Sequence, residues 1–547
     1  MPESTLNKIP TAPSEGSRDA FERLRAPQAS FGTMIHPPIE NAELMLKANL
    51  VSASESIANP RDVSSIDWQT LRSSARKQLT SDAVRYTKSY RDVDVSLSGG
   101  SDTPIIMAGH QPSLFHPGVW FKNFALGRMA TQCGGLPINL VVDNDVCQTR
   151  SIRVPVVDSI GKARWQAVAF DQSRVGVPFE QTEISDPQQF DRFDAEVADA
   201  ISPLVPNPLV HRLWQHARQA RDRCGIAGCA LAQARHTLEA ELGWQTLELP
   251  LGVAVRGVPF AEFVLAMVDR MDVFSEVYNS AADDYRTWHG IRSTAHPVPN
   301  LRHDDGWWET PLWLYGNSDP HRRGVWIKRV GTELHLSDRR DRSVVLPAND
   351  RSSAAQQLAD AASPDFKLRP RALVTTMFAR LVLSDLFLHG IGGGKYDQLA
   401  DQIIQRFFGV TPPAFQVVSG TVRLPGVNVD PDRDQQIDEL HQAIRHTLFQ
   451  GERFIESSAN TQRKTALLRE LAEADADSSF DKAAWHRRLA AVNLAIANQL
   501  TPKRRELQSD LASLEFQRAN EAVLASREHS FCLFPIDYLQ DAFGRMI

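Results

Sequence analysis

Cysteine is scarce in this chain. Five residues, Cys133, Cys147, Cys224, Cys229 and Cys532, are scattered over 547 positions; so few, and odd in number, they exclude a disulfide framework and point to a reducing compartment. Long apolar runs are missing too. The longest apolar window, Ala372 to Leu388, is interrupted by Arg380 and Asp385, so no membrane span is expected. Nor is there an excess of charge of one sign: 60 Lys plus Arg against 66 Asp plus Glu leave a net −6, which gives no positive field for nucleic acid or an anionic membrane. Met1 to Ala26 is rich in Pro, Ser and charge without an apolar stretch, so it reads as no secretory signal. A disordered tail over residues 1–35 and a cytoplasmic location are the expectation. Internal repeats are absent.

What is present is ordinary globular material, 42% hydrophobic and 23% charged, and at about 150 residues per domain the length allows three to four units. Thr103 to Gly109 is a short apolar run without alternation, as in strands buried on both faces; Val119 to Cys133 has helical spacing; Leu136 to Val142 is a second buried run. Strand, loop, helix, Gly134-Gly135 turn and strand make a βαβ unit, hence an α/β fold. The expected divisions are 36–178, N-terminal helices and the first half of a core; 179–300, a mainly helical insertion; 301–350, a β-rich insertion with a hairpin over Gly324 to Leu336; 351–428, the second half of the core; and 429–547. Ala372 to Leu388 reads as helical, Pro413 to Leu424 as a strand. From Asp432 to Thr501 there is no proline and one glycine, Gly451, and the Ile437, Leu440, Ile444, Leu448 series predicts an antiparallel coiled coil or helical hairpin with a break near Asp475 to Asp481.

Three segments invite chemistry. Gly109-His-Gln-Pro-Ser-Leu-Phe-His-Pro-Gly118 joins the end of a predicted strand to a helix start, where backbone N–H groups and the helix dipole favour an anion. His110 and His116 add donors, with Gly109, Gln111, Lys122 and Asn123 close by in sequence; alternatively both histidines are loop residues satisfied by backbone. Asp143, Asn144 and Asp145 end the second strand, placed to bind a ribose hydroxyl, an ammonium group or, as a lesser alternative, Mg²⁺, or to form a solvated acidic turn. His389-Gly-Ile-Gly-Gly-Gly-Lys395 lets backbone approach a ligand through Gly392, Gly393 and Gly394, with Lys395, Tyr396 and Asp397 following, although it departs from a Walker loop at His389 and Tyr396. Cys224, Cys229 and His236 lack the second ligand pair of structural zinc, so no metal cluster is expected. No GxSxG elbow occurs.

Gly109-His-Gln-Pro-Ser-Leu-Phe115 resembles the Gly-Gln-Gln-Pro-Gly-Leu-Phe motif of the cysteine-adding enzymes of bacillithiol biosynthesis, the BshC family. Asp143 to Asp145 falls where that family has an acidic run, Gly390 to Asp397 where it has a glycine turn, and the chain closes in a long helical stretch. The resemblance implies a Rossmann-like parallel sheet core with insertions and a C-terminal coiled coil, and an activity joining cysteine to an amino-sugar acceptor through an amide bond. It departs at His110, His116, Lys395 and Tyr396. His110 to Gly118 is also locally similar to the His-Gln-Pro start of WbqC-like proteins of surface-polysaccharide gene clusters. The expectation is a carbon–nitrogen ligase: ATP as the activating nucleotide, His110, His116 and Lys395 on phosphate charge, Asp145 orienting the amine or acting as base, small-molecule substrates only, and a homodimer through the coiled coil. A non-catalytic nucleotide- or metabolite-binding protein is the alternative.

Overall fold

Ile105, Ile106, Met107 and Ala108 are all 3% exposed or less, and a strand covered on both faces belongs inside a parallel sheet. The computed structural model describes residues 21–58, 66–93, 100, 103–172, 176–455, 457–474 and 480–547. Among these, six strands, β1 (Gly32–His36), β2 (Ile105–His110), β3 (Leu136–Val141), β4 (Leu247–Pro250), β5 (Leu386–His389) and β6 (Phe415–Thr421), form a sheet in the order β1-β6-β5-β2-β3-β4. All neighbours are parallel except edge strand β1, which runs antiparallel on β6. The helices that concern the site are α1 (Trp68–Lys88), α2 (Pro117–Cys133), α3 (Ala227–Glu241), α4 (Val258–Val268) and α5 (Ile391–Ile403). The fold is mixed α/β, and β2-α2-β3 is the expected βαβ unit. Helix α2 begins two residues before the predicted start because His116 Nδ1 accepts the Gly118 N–H at 3.1 Å and Pro117 occupies the first turn, where its missing donor costs nothing.

Two expectations are corrected. The tail ends sooner than residue 35: Phe21 and Leu24 are each 4% exposed, Phe21 meets the Tyr285 ring at 5.2 Å, and Gly32–His36 completes the sheet edge, so apolar burial and strand pairing order this stretch. Residues 1–20 lie outside the described residues. The Ala372 to Leu388 helix is also shorter than predicted. It runs Ala372–Phe378, continues as a π-helical turn over Ala379–Leu383, and gives way to strand β5. Leu386, Phe387 and Leu388 are buried, so this strand shows no polar alternation and cannot be told from a helix by period. Asp385 stops the helix. Its buried carboxylate accepts from Arg72 Nη2 at 2.9 Å, from Arg76 Nη1 and Nη2 at 2.6 Å each, and from the Ile105 N–H at 2.8 Å.

A second, antiparallel sheet has the order Ser343–Pro347, Glu333–Ser337, Arg323–Val330, Trp307–Tyr315, Lys367–Pro370, and its middle pair is the expected hairpin. Leu312, Leu314, Val325 and Leu336 share one continuous core with Met107, Ile138, Phe263 and Phe378. These elements and the C-terminal residues 527–547 make one compact unit; residues 155–166 and 424–526 make another. The smaller unit contains helices Arg433–Phe449, Ala459–Ala474, Lys482–Gln499 and Thr501–Leu524. Leu467, Trp485, Val492, Ile496 and Leu500 are its core. Gly451 is required there, since a Cβ would stand 2.5 Å from Ile496 Cγ2 and 2.7 Å from Leu500 Cδ1. Of the break expected near Asp475 to Asp481, positions 475–479 lie outside the described residues. No helix among the described residues is long and apolar enough to cross a membrane.

Replacing Asp385 by Ala strands two arginines and a strand N–H together. Urea unfolding should show a loss of roughly 3–5 kcal/mol in the larger unit; a loss under about 1 kcal/mol would show that the clamp is dispensable.

Candidate functional site

Parallel registers decide what meets at the sheet's carboxyl edge. Ala108 of β2 pairs with Leu388 of β5 and with Asn139 of β3, and His110 pairs with Val141. His110, Asp143 and His389 therefore leave the sheet from adjacent strands on one edge, next to the starts of α2 and α5. Ligands of open α/β sheets bind at such edges.

On β2, the His110 Nδ1 lies 3.0 Å from the Gln111 carbonyl and its ring meets Phe115 edge-on at 4.9 Å. Burial, with the charge of Lys122, pushes the imidazole down to about 3. Lys122 is 1% exposed, and its Nζ donates to the Gly109 carbonyl. Burial, with the Arg235 charge behind it, pushes the amine down to about 7. Among the described residues no carboxylate pairs with it. His116 is the N-cap of α2; burial takes it to about 4, which leaves Nδ1 free to accept the Gly118 N–H. Arg527, arriving from the C-terminal segment, donates to Ser419 Oγ at 3.2 Å and Gly420 O at 3.3 Å at the end of β6. Asn123 is taken up elsewhere. Its Nδ2 donates to Glu239 Oε1 at 3.0 Å, where Trp120 and Arg235 also donate.

The acidic turn divides its labour. Asn144 is buried, donating to the Pro370 carbonyl at 2.8 Å. Asp143 Oδ1 accepts the Gly252 N–H at 2.9 Å, and burial together with the neighbouring Glu180 charge raises its carboxyl to about 7. Glu180 is itself held by Arg369 at 2.8 and 3.0 Å and by the Tyr315 hydroxyl at 2.6 Å. Asp145 stays partly open to solvent, accepting from Gln111 Nε2 and, at 3.0 Å, from Arg322 Nη1, whose guanidinium lies over the Trp313 ring. Gln111 and Asp145 thus meet across the β2–β3 edge.

The glycine segment contributes less side-chain chemistry than its composition promises. His389 Nε2 is 2.7 Å from Asp397 Oδ2, and Asp397 also accepts from Arg380 Nη1 at 2.7 Å and Thr376 Oγ1 at 2.5 Å. Burial alone would raise the Asp397 carboxyl, but Arg380 and His389 hold it well below the usual range. His389 and Asp397, expected to face a ligand, instead brace β5 against α5, because a carboxylate this deep must be fully paired. Gly393 leaves room for His389 and Gly394 for Val417, whereas Gly390 and Gly392 face open space at the α5 start. Burial, with the Arg23 and Lys395 charges, lowers the His289 imidazole, and Tyr396 meets the His296 ring at 6.0 Å, both on the side of helix Met271–His289.

Sequence reasoning missed Glu180, Arg369, Gly252, Arg380 and Arg527, each joined to the edge by long-range pairing that leaves no local pattern. His236, considered with Cys224 and Cys229, is held by Thr246, at 2.9 Å from its hydroxyl. No protein-family model matches the chain, and no curated protein matches it.

A lysine whose folded-state value, about 7, lies below its unfolded value of 10.5 leaves the unfolded chain holding more protons between those pH values. Stability relative to Lys122→Met should therefore rise with pH from 7 to 10.5, by about 1.4 kcal/mol per unit, and be flat below pH 7. Parallel pH profiles of the two proteins would refute the depressed amine.

Proposed function

We propose that the chain is an amide-forming carbon–nitrogen ligase, akin to the cysteine-adding enzymes its His110 loop resembles, in which an amine attacks a carboxylate activated by a nucleotide. The sheet and the helical unit are read accordingly as a Rossmann-like core and a C-terminal coiled coil. The single observation supporting the reading is the dry corner made by Lys122 and His110 beside the open Gly390 and Gly392: a buried amine without a carboxylate, a neutral imidazole and a helix start, all on one sheet edge. An anion entering there neutralises Lys122 and restores its proton.

A nucleoside triphosphate would supply the activation that makes a carboxylate electrophilic. Lys122 holds phosphate charge as a preorganised donor to what develops in the transition state, while the neutral His110, whose Nδ1–H is engaged by the Gln111 carbonyl, presents Nε2 to the ligand as an acceptor. Asp145, oriented by Gln111 and Arg322, accepts the proton of the attacking amine or holds its ammonium form. His116 shapes the loop as a cap, which makes it a positioning residue. The expected cationic contribution of Lys395 passes to Lys122, which lies on the buried side of the same edge.

Release of AMP or ADP, measured with cysteine and a panel of amino-sugar acceptors, should depend on both substrates. Lys122→Met and His110→Ala should each lower turnover by about 10²–10³ with the fold retained by circular dichroism. Nucleotide turnover absent with every amine, alongside ligand-dependent thermal stabilisation, would replace the ligase with a binding protein.

A further inference from the structure

Outside the His110 edge, the larger unit holds a cleft of about 420 Å³ between helix α4, the end of helix Arg351–Asp360 and strand Lys367–Pro370. Its walls are apolar where Phe260, Leu358 and Phe366 line it. Its polar lining is one-sided in charge: Arg256, Lys367 and Arg369 contribute cations, and no carboxylate lines it among the described residues. Arg369 is balanced by Glu180, which lies behind it. Among the described residues Lys367 has no such partner; its Nζ donates to Asn317 Oδ1 at 2.9 Å, and Arg256 is exposed. Burial, with the Arg369 and Arg256 charges, lowers the Lys367 amine, while Glu180 offsets part of this. Like charges gathered on an apolar cleft repel one another and are costly to desolvate, and an anion seated between them relieves both costs. The volume lies within the range of about 300–1,000 Å³ typical of small-molecule sites.

We propose that this cleft binds a small organic anion, a carboxylate or phosphate monoester on an apolar body, with the charged end on Lys367 and Arg256 and the body against Phe260, Leu358 and Phe366. The proposal is independent of the ligase reading, since the residues it places on the ligand, Lys367, Arg256, Phe260, Leu358 and Phe366, are not those of the His110 edge; only Arg369, held by Glu180, borders both.

Calorimetric titration of the full chain with octanoate and with octyl phosphate tests it, with 1-octanol and inorganic phosphate as controls for body and charge. At least one anion should bind saturably, and the better of the two identifies the head group. The double variant R256Q/K367Q should weaken binding by at least about ten-fold. Ala362→Trp, which fills the cleft from an exposed position on its rim, should abolish it without changing the melting temperature of the free protein. No saturable binding of either anion would overturn the proposal. So would octanol binding as tightly as octanoate, inorganic phosphate binding as tightly as octyl phosphate, or unchanged affinity in Ala362→Trp.

Discussion

The carboxylate of Asp385 governs where the candidate site is placed. It sits just before β5, takes the N–H of the first residue of β2, and is held by two arginines of α1. That clamp fixes the stagger of the two central strands at their amino ends, and in a parallel pair the stagger at one end dictates which residues are level at the other. Because Leu386 is paired with Ile106, His389 emerges beside the turn that follows Gly109. A slip of one residue would turn every side chain of β5 to the opposite face. Buried charge is an expensive way to set a register, but here every oxygen is paired, which is the condition under which such charge persists.

At the carboxyl edge the logic is reversed, and charge is left uncompensated. Among the described residues Lys122 has burial but no counter-ion, His110 is driven neutral, and Asp143 is raised toward neutrality by burial and by the Glu180 charge. Perturbed groups gathered on one edge are the feature on which the proposed anion site rests. Asp397, on α5, shows the contrast: Thr376, Arg380 and His389 pair it fully, and Arg380 and His389 hold it ionised.

How much of this was legible beforehand follows the range of the interactions. β2, α2 and β3 were readable because their signals are local: unbroken apolar runs, helical spacing and a glycine turn. Strand β5 was hidden, since a strand buried on both faces joined to a short helix looks like one longer helix, and only Asp385, meeting partners about 280 and 310 positions away, separates them. The stretches at His110, Asp143 and Gly390 each follow a strand, and the three strands are neighbours in the sheet. Their division of roles was not legible. Whether Asp397 or Lys122 stays unpaired depends on Arg380 and Arg235, and nothing in either segment announces those arginines.

The central claim is that the edge beside β2 and β5 accepts an anion on Lys122, next to the neutral His110 ring. A crystal structure of the protein with bound tripolyphosphate tests this most directly. The account requires a phosphate group within hydrogen-bonding reach of Lys122 Nζ, next to the His110 ring, at the open glycines that begin α5. Density for the anion at another location, with Lys122 still donating only to the Gly109 carbonyl, would contradict it.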